Sequence, residues 1–245
     1  MAADDGRIVF SDLDGTLINS AKRGGKDDIV IERKNKEDIS CITRRQAVLF
    51  PQLSNIIPVT TRSIEQYRRI KIKGFDPDYA LCSNGGNLIV GGKVSEDWFC
   101  CSKKLCKESE EEIKRLCSVL ETDKHRCFEI RTVDELFLFT KSKDPQKTLE
   151  NLGKSELCGC YSTGEKIYVF PKQLSKGNAV KRLAEVLGIE KNFIACAGDS
   201  AIDVSMLNEA YTAVFTDNIP ESCVDAPEKI ICSKTGFEEF VTCYS

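Results

Sequence analysis

Two acidic pairs stand out as groups that can do chemistry. Asp12 and Asp14 lie two residues apart in Ser11-Asp12-Leu13-Asp14-Gly15-Thr16-Leu17, directly after a short β-branched run. Side chains at that spacing on an extended chain project to one side, and Gly15 lets the backbone turn, so the two carboxylates can share one small site. Like charges that close either raise one pKa or recruit a cation, and oxygen ligands of this kind suit Mg²⁺. For this spacing alone an Asx-rich turn is the plainer reading. The second pair, Asp199 and Asp203 in Ala197-Gly198-Asp199-Ser200-Ala201-Ile202-Asp203-Val204, again ends an apolar run and opens a helical pattern. Asp199 as a metal ligand, with Asp203 as a ligand or its supporting partner, would complete a hard-oxygen site, and capping of the following helix by Asp199 and Ser200 is compatible with it.

Between the pairs lie Val59-Thr60-Thr61-Arg62-Ser63 and Ser175-Lys176-Gly177-Asn178. Each sits where a strand or turn meets a helix start, so hydroxyls, free backbone N–H groups and a cation can converge on an anion, which is a phosphate's set of partners. Taken singly, Thr60 reads as a helix N-cap and Lys176 as a surface lysine. Their order along the chain gives them weight.

The elements that must position these residues read as alternating β and α. Residues 7–12, 55–60, 78–82 and 193–198 are near-continuous apolar stretches, as in parallel strands covered on both faces, and 211–215 and 229–232 extend the set. Helical spacing recurs at 63–73, 177–187 and 201–209. An open parallel sheet of this kind places its site at the carboxyl ends of the strands. From 86 to 171 the pattern changes to two strand-like pieces around Gly91-Gly92, a charged helix at 107–120, two more strands, a helix near 145–152 and another strand pair, with turn signals at both borders. The expectation is a core of residues 1–85 and 172–245 with an inserted α+β domain at 86–171. The charged stretch 21–38 is expected to be a solvated surface flap or mobile loop.

A chain of 245 residues suits one domain with an insertion, or two domains. Its formal net charge of −3 gives no overall attraction to nucleic acid or anionic membrane. No apolar run approaches the length of a spanning helix, and the acidic start MAADDGRIVF is unlike a signal peptide, so a cytoplasmic protein is expected. The 13 cysteines are about 5% of the chain, below the usual share of a disulfide scaffold. Cys82 and Cys196, inside strand-like runs, are expected in the core, and the lone His125 with Cys127 nearby is a poor start for a zinc site.

The order Asp12-Leu13-Asp14-Gly15-Thr16, Thr60, Lys176 and Gly198-Asp199 through Asp203 resembles the four motifs of the haloacid dehalogenase superfamily: DxDGT, Ser/Thr, Lys and GDxxxD. The likeness covers essentially the whole chain. The insertion falls between the second and third motifs, as in members with a C2-type cap, and Ser83-Asn84-Gly85-Gly86 and Ser175-Lys176-Gly177 are similar to the Cof-type and sucrose-phosphatase-like sugar phosphatases. Two positions depart from the pattern: Thr61 stands where Gly is frequent, and Ile202 where Asn is frequent.

The resemblance implies a Rossmann-like parallel-sheet core and a phosphatase that works through an aspartyl-phosphate. Asp12 would be the nucleophile and Asp14 the proton donor and then the base, while Thr60, Thr61 and Lys176 would bind phosphate. Mg²⁺ would be held by Asp12, Asp14 through its backbone carbonyl, Asp199 and Asp203. A small phosphorylated metabolite, a sugar phosphate above all, is the implied substrate, with no obligate protein partner. Arg126, Arg131, Lys141, Lys143 and Lys166 are the candidate leaving-group contacts in the cap. A phosphomannomutase-like phosphosugar mutase and a non-catalytic phosphate-ligand binding protein are the alternatives.

Overall fold

The computed structural model describes residues 6–232. The chain divides into two compact units, residues 1–94 with 176–245 and residues 95–175.

In the first unit, β1 (Ile8–Ser11) carries no polar side chain until Ser11 because both its faces and both its edges are covered. A three-stranded antiparallel sheet follows, built from β2 (Asn19–Ser20), β3 (Ile29–Lys34) and β4 (Glu37–Ile42) in the order β2-β4-β3. Of the stretch expected to be a solvated flap or loop, residues 22–27 are exposed and outside the strands, whereas 29–38 belong to the hairpin. Ile31 and Ile42 sink into the main core cluster beside Val9, Leu17 and Phe50, and the charges line the outer side. A register irregularity on either side of Glu32 buries Ile31 and Glu32 although they are adjacent in sequence, as a bulge does when it re-aims a side chain. The turn joining β3 to β4 holds Asn35 and Lys36 at φ of 51° and 69°, the left-handed conformation that suits a two-residue hairpin.

Next come α1 (Arg44–Leu49), started by a Thr43–Gln46 capping box that periodicity alone did not reveal, then β5 (Ile56–Pro58) and α2 (Ile64–Arg68). After them, β6 (Tyr79–Cys82), β7 (Asn87–Val90) and β8 (Lys93–Val94) form a meander. β7 pairs back on β6 and β8 on β7, so residues 87–94 go with the first unit and not with the insertion, whose expected start was 86.

The second unit holds α3 (Glu96–Cys106), α4 (Glu110–Thr122), β9 (Arg131–Val133), β10 (Phe137–Lys141), α5 (Pro145–Leu152), β11 (Cys158–Thr163) and β12 (Lys166–Pro171). The antiparallel order is β11-β12-β10-β9. Strand alternation sends Leu138, Ile167 and Val169 into a cluster with Leu116 and Leu120 of α4 and Leu152 of α5. The opposite side of the same strands carries Phe137, Phe139, Tyr168 and Phe170 in ring contact. α3 escaped the sequence reading because two of the three residues it buries, Ser102 and Cys106, contrast weakly with their neighbours.

The chain re-enters the first unit at α6 (Lys176–Leu187), followed by β13 (Ile194–Gly198), α7 (Val204–Leu207), β14 (Thr212–Thr216) and β15 (Glu228–Cys232). The main sheet runs β15-β14-β13-β1-β5, every pair parallel. From β1 the next strand of the sheet is β5 on one side, and from β13 it is β14 on the other. The carboxyl ends of β1 and β13 therefore flank the switch point where open α/β sheets bind ligands. Cys82 and Cys196 are fully buried in β6 and β13. Among the described residues no helix is long and apolar enough to cross a membrane.

The hairpin turn gives a direct check on the 21–38 segment. Lys36→Gly should stabilise the protein by about 0.5–1 kcal/mol, because glycine adopts positive φ without a Cβ penalty. Thermal unfolding would read the gain; a loss would mean that the turn is not left-handed.

Candidate active site

Asp12 follows β1, Thr60 follows β5, Asp199 follows β13, and Lys176 opens α6, so the sequence-selected residues of the first unit arise from the strand ends and one helix start. Asp12 is 6% exposed, Lys176 1% and Asp203 fully buried. The Lys176 Nζ donates to Asp12 Oδ1 at 2.5 Å and to Asp203 Oδ1 at 2.5 Å. Far from being a surface lysine, it is the ammonium that joins the two motif carboxylates.

The other oxygen of Asp203 accepts from Asp199 N at 3.2 Å, Ser200 N at 3.0 Å and Ser200 Oγ at 2.8 Å. Three donors converge on Oδ2, while Oδ1 takes the Lys176 ammonium. Asp203 thus fixes the turn that carries Asp199. The helix expected at 201–209 is confined to Val204–Leu207, since 201–203 form that turn.

Carboxylate oxygens of Asp12, Asp199 and Asp203 lie within 4.8 Å of one another. Burial pushes the Asp12 carboxyl well above the usual range; Lys176 opposes this, and Asp203, Asp199 and Asp14 add to it. Burial likewise raises Asp199, to about 6, with Asp203 adding to the rise. Burial works against the charge on Lys176, but Asp12 and Asp203 hold its pKa above the ordinary lysine value. Three carboxylates against one ammonium leave a buried excess of negative charge, and a hard divalent cation fits both that excess and the all-oxygen donor set.

Gly15, at φ +97°, completes the turn after Asp14, and a Cβ there would overlap the Asp199 carboxylate. The motif glycine is needed both for the backbone and for the space. Asp14 places no carboxylate oxygen in the three-aspartate group. Its Oδ2 and Oδ1 instead accept from Arg62 Nε at 2.6 Å and Nη2 at 2.7 Å. The motifs do not single out Arg62 as a site residue, although it follows Thr60-Thr61 directly; a cation next to a candidate phosphate-binding threonine is the signal the sequence carries.

Thr60 is 1% exposed, and its hydroxyl accepts from Arg62 N at 3.1 Å. It is not the N-cap of α2: Ser63 takes that role, accepting from Gln66 N at 3.2 Å while Gln66 Oε1 accepts from Ser63 N at 3.0 Å. Thr60 therefore keeps its place at the strand end, beside the chain that leads to Asp12, since Val59 N donates to Ser11 O at 2.7 Å. Thr61 is half-buried next to it.

The basic residues named in the insertion separate by their surroundings. Arg126 closes the end of α4, donating to Leu120 O at 3.0 Å and Phe128 O at 2.8 Å, which makes it a structural residue. Arg131 and Lys141 lie over the Phe128 ring at 4.6 and 5.5 Å, and Arg131 also pairs with Glu129. Lys143 and Lys166 are exposed.

Removing the central ammonium should expose the charge imbalance. Lys176→Ala should cost about 3–5 kcal/mol, the usual result of breaking a buried pair from one side. A carboxyl whose folded pKa is raised binds a proton more readily folded than unfolded, so the penalty should be greatest above about pH 6 and shrink as the pH falls. Denaturant unfolding at two pH values would read both effects.

Residues 94–235 match the sequence profile of the haloacid dehalogenase-like hydrolases. A phosphoglycolate phosphatase of Sulfurisphaera tokodaii is 26% identical over 220 residues, covering 87% of this chain and 83% of that protein. Among solved structures, the sucrose-phosphatase of Synechocystis sp. PCC6803, in complex with sucrose and phosphate, superposes with a TM-score of 0.69 over 98% of both chains at 16% identity. A haloacid dehalogenase-like hydrolase from Bacillus subtilis superposes with a TM-score of 0.60 over 96% of this chain and 98% of its own, at 15% identity. The α/β fold with a parallel main sheet is theirs, and the matched profile covers more than half of the sequence: the chain belongs to the haloacid dehalogenase-like hydrolases.

Proposed function

We propose that the protein is a Mg²⁺-dependent phosphatase that hydrolyses a small phosphomonoester, a sugar phosphate in the first instance, through an aspartyl-phosphate on Asp12. The observation that carries this reading is the group of Asp12, Asp199 and Asp203, with the Lys176 ammonium between Asp12 and Asp203, at the switch point of the sheet. The phosphoglycolate phosphatase similar over most of the chain and the sucrose-phosphatase of like fold support the reaction class.

Asp12 and Asp199 would hold the ion with their carboxylates and Asp14 with its backbone carbonyl. Asp203 lies within reach of it, and with three donors on its Oδ2 and Lys176 on its Oδ1 we give it the supporting role, holding Lys176 and the 199–200 backbone. When bound, the ion supplies positive charge to the phosphoryl oxygens and keeps the buried carboxylates ionised.

The residues then divide the work. Lys176 holds Asp12 in one orientation and offsets its repulsion of an incoming phosphate dianion. Asp12 attacks phosphorus; as the new O–P bond forms, the bond to the leaving oxygen breaks, its electron pair departs with that oxygen, and Asp14 supplies the proton. Asp14, now a carboxylate, takes a proton from the water that attacks phosphorus, the Asp12–phosphate bond breaks, and inorganic phosphate leaves. Thr60 and Thr61 offer hydroxyls to the phosphoryl oxygens at the end of β5. The unit 95–175 is assigned the choice of leaving group.

Phosphate release with Mg²⁺ across sugar phosphates, nucleotides, phosphoserine and phosphoglycolate tests this. The wild type should favour one class, Asp12→Asn should be slower by at least about a thousandfold while remaining folded, and excess chelator should abolish turnover. Comparable activity in Asp12→Asn, or full activity in chelator, would refute the assignment. Substrate binding without phosphate release would return the protein to a binding role.

A further inference from the structure

Glu32 is a glutamate with a fully buried side chain, in a hairpin that the proposed chemistry does not use. Burying a carboxylate costs several kcal/mol unless it is paired and hydrogen-bonded, and the partners of Glu32 meet that need. Its Oε2 accepts from Ser40 Oγ at 2.7 Å and from Arg62 Nη1 at 2.7 Å, and its Oε1 accepts from Arg69 Nε at 3.1 Å. Arg62 is held from a second direction, its Nη2 donating to Ser40 Oγ at 3.0 Å.

The guanidinium is planar, so fixing one edge aims the other. The outward edge of Arg62 is its Nε–Nη2 side, which grips both oxygens of Asp14. Nothing in the register of an ordinary hairpin would bring Glu32 there. The irregularity on either side of it turns its side chain inward next to Ile31, which anchors the strand in the core.

We propose that Glu32 is a positioning residue for proton transfer: with Ser40 it clamps Arg62, and through Arg62 it sets the orientation of the Asp14 carboxylate. The inference rests on the reading of Asp14 as the group that protonates the leaving oxygen. A role limited to anchoring the hairpin would leave Arg62 with no reason to engage both oxygens of the proton donor.

The two roles differ in leaving-group dependence. The ratio kcat/KM reports the steps through the first irreversible one, here departure of the leaving group. An alkoxide needs a proton to leave, whereas p-nitrophenolate leaves as an anion. For Glu32→Gln, kcat/KM should fall at least about tenfold more for an alkyl ester, phosphoglycolate or sucrose 6-phosphate according to which the wild type hydrolyses, than for p-nitrophenyl phosphate. In an Asp14→Asn background, Glu32→Gln should add no further selective loss. Equal loss on both substrates, no loss on either, or a full additional loss in the Asp14→Asn background would overturn the proposal. If Glu32→Gln does not fold, Ser40→Ala removes only the hydroxyl shared by Glu32 and Arg62; a loss about threefold greater on the alkyl ester supports the clamp, and an equal loss overturns it. A wild type that hydrolyses neither kind of ester sinks the phosphatase reading itself, and this inference with it, a result distinct from the others.

Discussion

Two buried carboxylates, Asp12 and Asp203, held by one buried ammonium beside the half-buried Asp199, are the constraint around which the first unit is built. Lys176 can reach both Asp12 and Asp203 only because α6 starts beside the ends of β1 and β13. The excess negative charge that remains is expensive in a protein interior. The structure tolerates it by tying Asp203 to four donors and by letting burial raise the carboxyls of Asp12 and Asp199. A divalent cation would offset that excess.

A second charged network lies beside the first. Arg62, at its centre, pairs with Asp14 and Glu32, and Arg69 pairs with Glu32 and with the exposed Glu65. Asp14 belongs to this network and Asp12 to the other. The proposed nucleophile and the proposed proton donor, only two residues apart in sequence, are therefore governed by different surroundings, as acid–base chemistry with two like groups requires.

The sheet and the site were legible in the sequence to different depths. The parallel strands were plain because burial on both faces leaves long apolar runs such as Ile194 to Ala197, and the motif residues Asp12, Asp14, Thr60, Lys176, Asp199 and Asp203 all fall at the strand ends and helix start that those runs imply. The hairpin at 29–42 was hidden because its outer side is densely charged and its inward residues, Ile31, Glu32 and Ile42, follow a broken alternation. Glu32 and Arg62 were hidden for a related reason: a charged residue reads as solvated until its partner is known, and the two are thirty residues apart. The second unit starts at 95 and not at 86 because 87–90 pair with β6 and 93–94 with β7, pairings that the sequence pattern does not display.

The central claim is that the excess charge at Asp12, Asp199 and Asp203 is a divalent-cation site, and a Mg²⁺ titration followed by thermal unfolding tests it most directly. At about pH 7.5 the wild type should gain a saturable rise in Tm, smaller near pH 5, where Asp199 is protonated, and lost in Asp199→Asn. A wild type whose Tm does not respond to millimolar Mg²⁺, or an Asp199→Asn variant that responds equally, would contradict the account.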